Sequence, residues 1–153
     1  MPAFKPQDPG FALRVRASFA RQQVMTTIGA RLLTVEPGVV EIELPFRSDL
    51  TQQHGFLHAG IVTTIADSAC GYAAMSLMAP EAAVLTVEYK LNLLAPARGE
   101  RMIARGRVIR PGRTLTVCEA EVVALEGGHE RSVARMLATL MALTDRADLP
   151  PGT

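Results

Sequence analysis

Cysteine is scarce in this chain. Cys70 and Cys118 are too few and too far apart for a disulfide framework or a zinc-ligand pattern, and both stand in apolar contexts typical of buried free thiols. That usage fits a reducing cytoplasm. Net charge is scarce as well: sixteen basic residues against fifteen acidic ones leave +1, which argues against a dedicated nucleic-acid protein and against a polybasic membrane surface. No apolar run is long and clean enough to span a bilayer, since the richest one, 60–79, is interrupted by Asp67 and several hydroxyls. The first ten residues carry three prolines and no apolar stretch, so they read as neither a signal peptide nor an anchor. Internal repeats and low-complexity segments are also missing.

What is present fits one domain. A chain of 153 residues buries roughly 70% of the surface its unfolded form exposes, enough to fold without a staple. Residues 1–27 read as a proline-rich arm and a short amphipathic helix, with Phe11, Leu13, Val15 and Phe19 set among arginines. Residues 28–145 form the main domain and 146–153 a polar tail. Strands are expected at 28–34 and 39–45, joined at Glu36-Pro37-Gly38, the second alternating apolar and acidic residues as a hairpin with one wet face does. One long helix is expected over 59–78, rich in Ala, Ile and Met, with Gly71 inside it where close packing would require a missing side chain. Four further strands, 84–94, 102–109, 114–125 and 132–144, follow as a meander broken at glycine- and proline-bearing turns. Strands gathered around one apolar helix imply an α+β layout with an antiparallel sheet curled over that helix.

The stretch Gln52-Gln53-His54-Gly55-Phe56-Leu57-His58-Ala59-Gly60 sets a polar, glycine-punctuated turn at the mouth of the helix, and Asp67 follows about two turns inside it. Read alone, Asp67 could face solvent. Its neighbours Ile65, Ala66, Ala69 and Cys70 are those of a buried position, where a carboxylate is costly unless it has a task.

Gly55-x-x-His58-Ala59-Gly60, with Asp67 nine residues after His58 and then Ala69-x-Gly71-x-Ala73, resembles the central-helix motif of hotdog-fold acyl-CoA thioesterases of the PaaI and hydroxybenzoyl-CoA thioesterase type. Thr86-Val87-Glu88-Tyr89-Lys90 running to Pro96-Ala97, and Arg110-Pro111-Gly112-Arg113-Thr114, resemble the same family's third strand and glycine-arginine hairpin. The resemblance spans about 28–144. It implies hydrolysis of acyl-CoA thioesters with no metal or organic cofactor, and a homodimer, commonly paired into a tetramer, whose active site lies between subunits. It gives Asp67 the part of general base or nucleophile. The Ala59 and Gly60 amides would form an oxyanion hole at the helix start. His58 would orient or polarise the site, and Thr86 would position the water. Two positions depart from the family pattern: Gln52 stands where an Asn is common, and Ala59 replaces the first glycine of His-Gly-Gly. Arg110 and Arg113, and more weakly Lys90 and Arg98, are candidates for the CoA phosphates. His54 and His129 read as loop residues and Met75–Met78 as packing. An acyl-thioester hydratase or dehydratase, and a non-catalytic acyl-CoA-binding protein, are the competing readings. With aromatic residues at 5% of the chain, the acyl group is left open between aryl and aliphatic.

Overall fold

The computed structural model describes residues 3–145, so the expected tail at 146–153 lies outside the described residues. Helix α1 spans Phe11–Arg21, and Val15 and Ser18 on its buried face are one turn apart. A second helix, α2 (Gln23–Ile28), follows at once and ends at Gly29, whose φ of 78° and N–H bonds back to Met25 and Thr26 close it as a left-handed cap. The strand expected from Ile28 therefore begins later, as β1 (Arg31–Glu36). Val15, Met25 and Ile28 belong to the same hydrophobic core as the sheet.

Strand β2 (Val39–Pro45) pairs with β1 across a turn at Gly38. Val40, Ile42 and Leu44 are fully buried, while Glu41 and Glu43 point to the other face. That face is drier than its sequence implies. Glu43 is only 4% exposed, because Arg31 and Arg101 bracket its carboxylate at 2.8 and 2.9 Å.

The central helix, α3, covers Ala59–Met75 and stops three residues short of its expected end. Ser76 accounts for this: its hydroxyl donates to the Ala73 carbonyl at 2.7 Å and accepts from the Gly38 N–H at 2.8 Å. The Arg14 guanidinium then takes the carbonyls of Met75, Met78, Ala79 and Ala82 at 2.6–3.3 Å, and pairs with Asp8 at 3.1 Å. One cation thus meets the last carbonyl of the helix, at its negative end, together with three carbonyls of the segment that follows it.

The remaining strands are β3 (Ala83–Leu93), β4 (Arg101–Arg110), β5 (Leu115–Glu126) and β6 (His129–Leu143). The sheet is antiparallel throughout, in the order β1-β2-β4-β5-β6-β3. The expected four-strand meander is therefore only three strands long. β4, β5 and β6 follow one another through tight turns, whereas β3 lies at the far edge beside β6, and the link 94–100 carries the chain across. This crossing is pinned at the start of α3, where the Leu57 N–H donates to the Ala97 carbonyl at 2.9 Å. The sheet wraps α3 in the hotdog arrangement.

Gly71, expected at a close approach, faces open space; the close approach is at Gly106 on β4. A Cβ there would stand 2.8 Å from the Cys70 nitrogen and nearer still to the Ala69 carbonyl, so the missing side chain lets α3 settle on the sheet.

Candidate active site

The face of α3 turned from the core carries Gly60, Thr63, Thr64, Asp67, Ser68 and Gly71 at helical spacing, and all of them line clefts. Asp67 is half-buried, and its Oδ1 accepts a hydrogen bond from the Thr86 hydroxyl on β3 at 2.8 Å. Burial pushes the Asp67 carboxyl above its ordinary range, and the Thr86 bond opposes that shift in part. A carboxylate so placed is a stronger base than a solvated one.

Two clefts flank Asp67. One, of about 390 Å³, runs past Thr86 and Gly71 toward Ser18, Gln22 and Tyr72. The other, of about 310 Å³, includes Gly60, Thr63, Thr64 and Tyr89. Gln52, His58 and Ala59 line neither. They open into a third cavity of about 550 Å³, walled by Phe56, Leu57, Val62 and the crossing segment 93–97. Within one chain the structure therefore brings together Asp67, Thr86 and Gly60, and leaves the Gln52–Ala59 loop at a different opening.

The loop has its own hydrogen-bond economy. His58 is the N-cap of α3, and its Nδ1 accepts the Gly60 N–H at 2.9 Å. A neutral imidazole that accepts at Nδ1 carries its proton at Nε2. Of the two helix-start amides, Gly60 is thus occupied, whereas among the described residues no acceptor meets the Ala59 N–H. Gln52 is turned back on its loop, its side-chain oxygen accepting the His54 N–H. His54 is exposed, as is His129 at the start of β6.

The basic candidates are scattered. Arg110 and Arg113 flank the β4–β5 turn, Arg98 lies in the crossing segment, and all three are exposed. Lys90 pairs in register with exposed Leu137, whereas Thr86 pairs with buried Leu140, so Lys90 occupies the outer face of β3. The thiols are not nucleophile candidates: burial raises Cys70 far above its usual value and pushes Cys118 up to about 12, so both stay protonated. Among the described residues no group of three His, Cys, Asp or Glu side chains is placed to hold a metal ion.

Ser18, Gln22, Ser68 and Tyr72 carry no motif, and the sequence does not announce them. Ser68 and Tyr72 could have been found by extending the helical face from Asp67. Ser18 and Gln22 reach the cleft only through the packing of α1 against α3.

Residues 54–130 match the model of the thioesterase superfamily. A thioesterase family protein from Silicibacter pomeroyi has a solved structure 63% identical to this chain, covering 88% of it and 98% of its own length with a TM-score of 0.86. The 1,4-dihydroxy-2-naphthoyl-CoA hydrolase of Listeria monocytogenes is 27% identical over 96 residues, 63% of this chain and 78% of its own. The PaaI protein of Escherichia coli, from the phenylacetic acid degradation operon, shares the fold at 17% identity, covering 90% of this chain and 96% of its own with a TM-score of 0.80.

Proposed function

The chain belongs to the thioesterase superfamily, and from that premise we propose that it hydrolyses acyl-CoA thioesters with Asp67 as general base, in a site completed by a second copy of the chain. The half-buried Asp67 carboxylate held by the Thr86 hydroxyl carries this reading. The name of the Listeria relative, a CoA thioester hydrolase, supports the substrate class.

The second copy follows from topology. Among the described residues β3 is an edge strand paired with β6 alone, and it exposes Val87, Tyr89 and Leu93. Antiparallel pairing of two β3 strands about a two-fold axis near Tyr89 and Lys90 brings Leu93 of one copy beside Thr86 of the other. Leu93 borders the cavity that holds Gln52, His58 and Ala59, and Thr86 borders the cleft that holds Asp67. The two halves of the site meet across the dimer, and each dimer holds two sites. Exposed Leu85, Leu115 and Leu137 on the outer sheet face provide a surface through which dimers pair into a tetramer.

The thioester carbonyl lies between Asp67 of one copy and the Ala59 N–H of the other. Asp67 takes a proton as water attacks the carbonyl carbon, and the oxyanion that forms accepts from the Ala59 N–H at the positive end of α3. Collapse of the tetrahedral intermediate breaks the C–S bond. The CoA thiolate leaves and takes up the proton, and the acid product ionises. Arg110 and Arg113 offer guanidinium forks to the CoA phosphates outside the clefts. His58 acts by fixing the first turn of α3. The two buried thiols fit a cytoplasmic enzyme.

Release of free thiol from aryl, short, medium and long acyl-CoAs, with wild type and Asp67→Asn side by side, tests the reading. Release that drops by two or more orders of magnitude in the variant supports it. A change in the acyl group without thiol release would indicate a hydratase, and neither outcome from a folded dimer would indicate a binding protein.

A further inference from the structure

The cleft beside Asp67 has a wall that the family match does not cover. Ser18 comes from α1 and Gln22 from the α1–α2 junction, whereas the matched residues are 54–130. This wall is polar. The Ser18 hydroxyl and the Tyr72 hydroxyl lie 3.3 Å apart, both residues more than nine-tenths buried. Ser68, buried and next to Asp67 in sequence, donates its hydroxyl hydrogen to the Gln22 side-chain oxygen at 3.3 Å.

That last bond fixes which end of Gln22 is available. With the oxygen held by Ser68, the carboxamide nitrogen keeps its two N–H donors for another partner, and Gln22 borders both clefts that flank Asp67. A CoA thioester bound at Asp67 has two arms. The CoA arm must leave its nucleotide in solvent, so it cannot run toward the buried Ser18 and Tyr72. The acyl arm can, and a cleft of about 390 Å³ is within the range of small-ligand pockets. A hydrocarbon acyl group there would desolvate the Gln22 N–H groups without replacing their hydrogen bonds, whereas an acyl group with an oxygen substituent would pair them.

We infer that Gln22 is a specificity-determining residue, whose carboxamide donates to an oxygen substituent on the acyl group and so favours hydroxylated or oxo-bearing acyl-CoAs over hydrocarbon ones of the same size. This rests on the acyl-CoA reading of the site. The preference is set by the N-terminal helices rather than by the motif-bearing loop.

The test compares matched pairs: phenylacetyl-CoA with its ring-hydroxylated isomers, and hexanoyl-CoA with 6-hydroxyhexanoyl-CoA. Wild type should favour the better hydroxylated member of at least one pair by about tenfold in kcat/KM, the size of one well-made hydrogen bond in a partly buried site. In Gln22→Met, which keeps the length and removes the donors, the ratio should fall to within about twofold of one. Ser68→Ala, which unpins the carboxamide without touching it, should give an intermediate ratio. A merely structural role would lower both members of a pair together and leave the ratio unchanged. Calorimetric binding of non-hydrolysable thioether analogues of the same pairs gives a second readout. If thiol release is absent but hydroxylated analogues bind more tightly in a Gln22-dependent way, hydrolysis fails as the function and the specificity inference stands. A wild-type ratio near one in every pair, or an unchanged ratio in Gln22→Met, overturns the inference.

Discussion

Gly106→Ala puts one methyl group where the sheet meets α3, the helix that carries Asp67. The new Cβ would lie 2.8 Å from the Cys70 nitrogen and closer to the Ala69 carbonyl, against about 3.5–4.0 Å for relaxed contact between non-bonded carbons. Both obstacles are main-chain atoms in the middle of α3, so no side chain can rotate away and the helix must lift off β4. Overpacking of a core ordinarily costs about 1–3 kcal/mol, and a backbone obstacle belongs at the upper end, about 3 kcal/mol. Reduced freedom of the unfolded chain returns about 0.4–1 kcal/mol, so the clash wins by about 2 kcal/mol or more. At this chain length that lowers Tm by about 4–8 °C, read by circular dichroism at one fixed protein concentration, because oligomer stability depends on concentration. Asp67 lies two residues before Ala69, so kcat should also fall at temperatures well below the transition. A variant that melts within about 2 °C of wild type and keeps its kcat would refute the close-approach account.

Arg14→Lys should lower Tm by about 4–8 °C, the equivalent of about 2 kcal/mol, since an ammonium cannot replace a fork that reaches four carbonyls. Asp67→Asn should melt higher than wild type at pH 7. The folded-state pKa of Asp67 is raised, so the folded chain binds that proton more tightly and wild-type stability falls as pH rises from about 4 through the raised value. Below that window the two proteins should converge, and equal melting at neutral pH would contradict the burial assigned to the carboxylate. Thr86→Val removes the hydrogen bond that holds the Asp67 pKa down, so the acidic limb of the kcat/KM profile should move to higher pH; a shift the other way would exclude that bond as the cause.

The parts of this molecule legible in the sequence are those written in local patterns. The apolar run after Gly60 marks α3, the alternation over 40–44 marks β2, and Asp67 stands out because a carboxylate among Ile65, Ala66 and Cys70 is physically unusual. The six-residue helix α2 was hidden because it is too short to show a period, although Gly29 was its stop signal. The placement of β3 beside β6 was hidden because strand pairing over fifty residues leaves no mark in either strand. Gln52 invited comparison with an amide that reaches into a site, yet the short loop gives its side chain a nearer partner in the His54 N–H. Ser18 and Gln22 became visible only once α1 was packed against α3.

The central claim is that Asp67 of one copy works with the Ala59 N–H of another, and complementation between two inactive variants tests it most directly. Asp67→Asn removes the base. Ala59→Pro removes the amide hydrogen at the first helical position, where proline is tolerated, and the ψ of 138° at His58 is one that a residue before proline favours. Each variant alone should be inactive. Co-expressed, random pairing places one intact site in each of the mixed dimers, so thiol release should return to on the order of a quarter of the wild-type rate. Mixed dimers as inactive as either parent would contradict a site shared between copies.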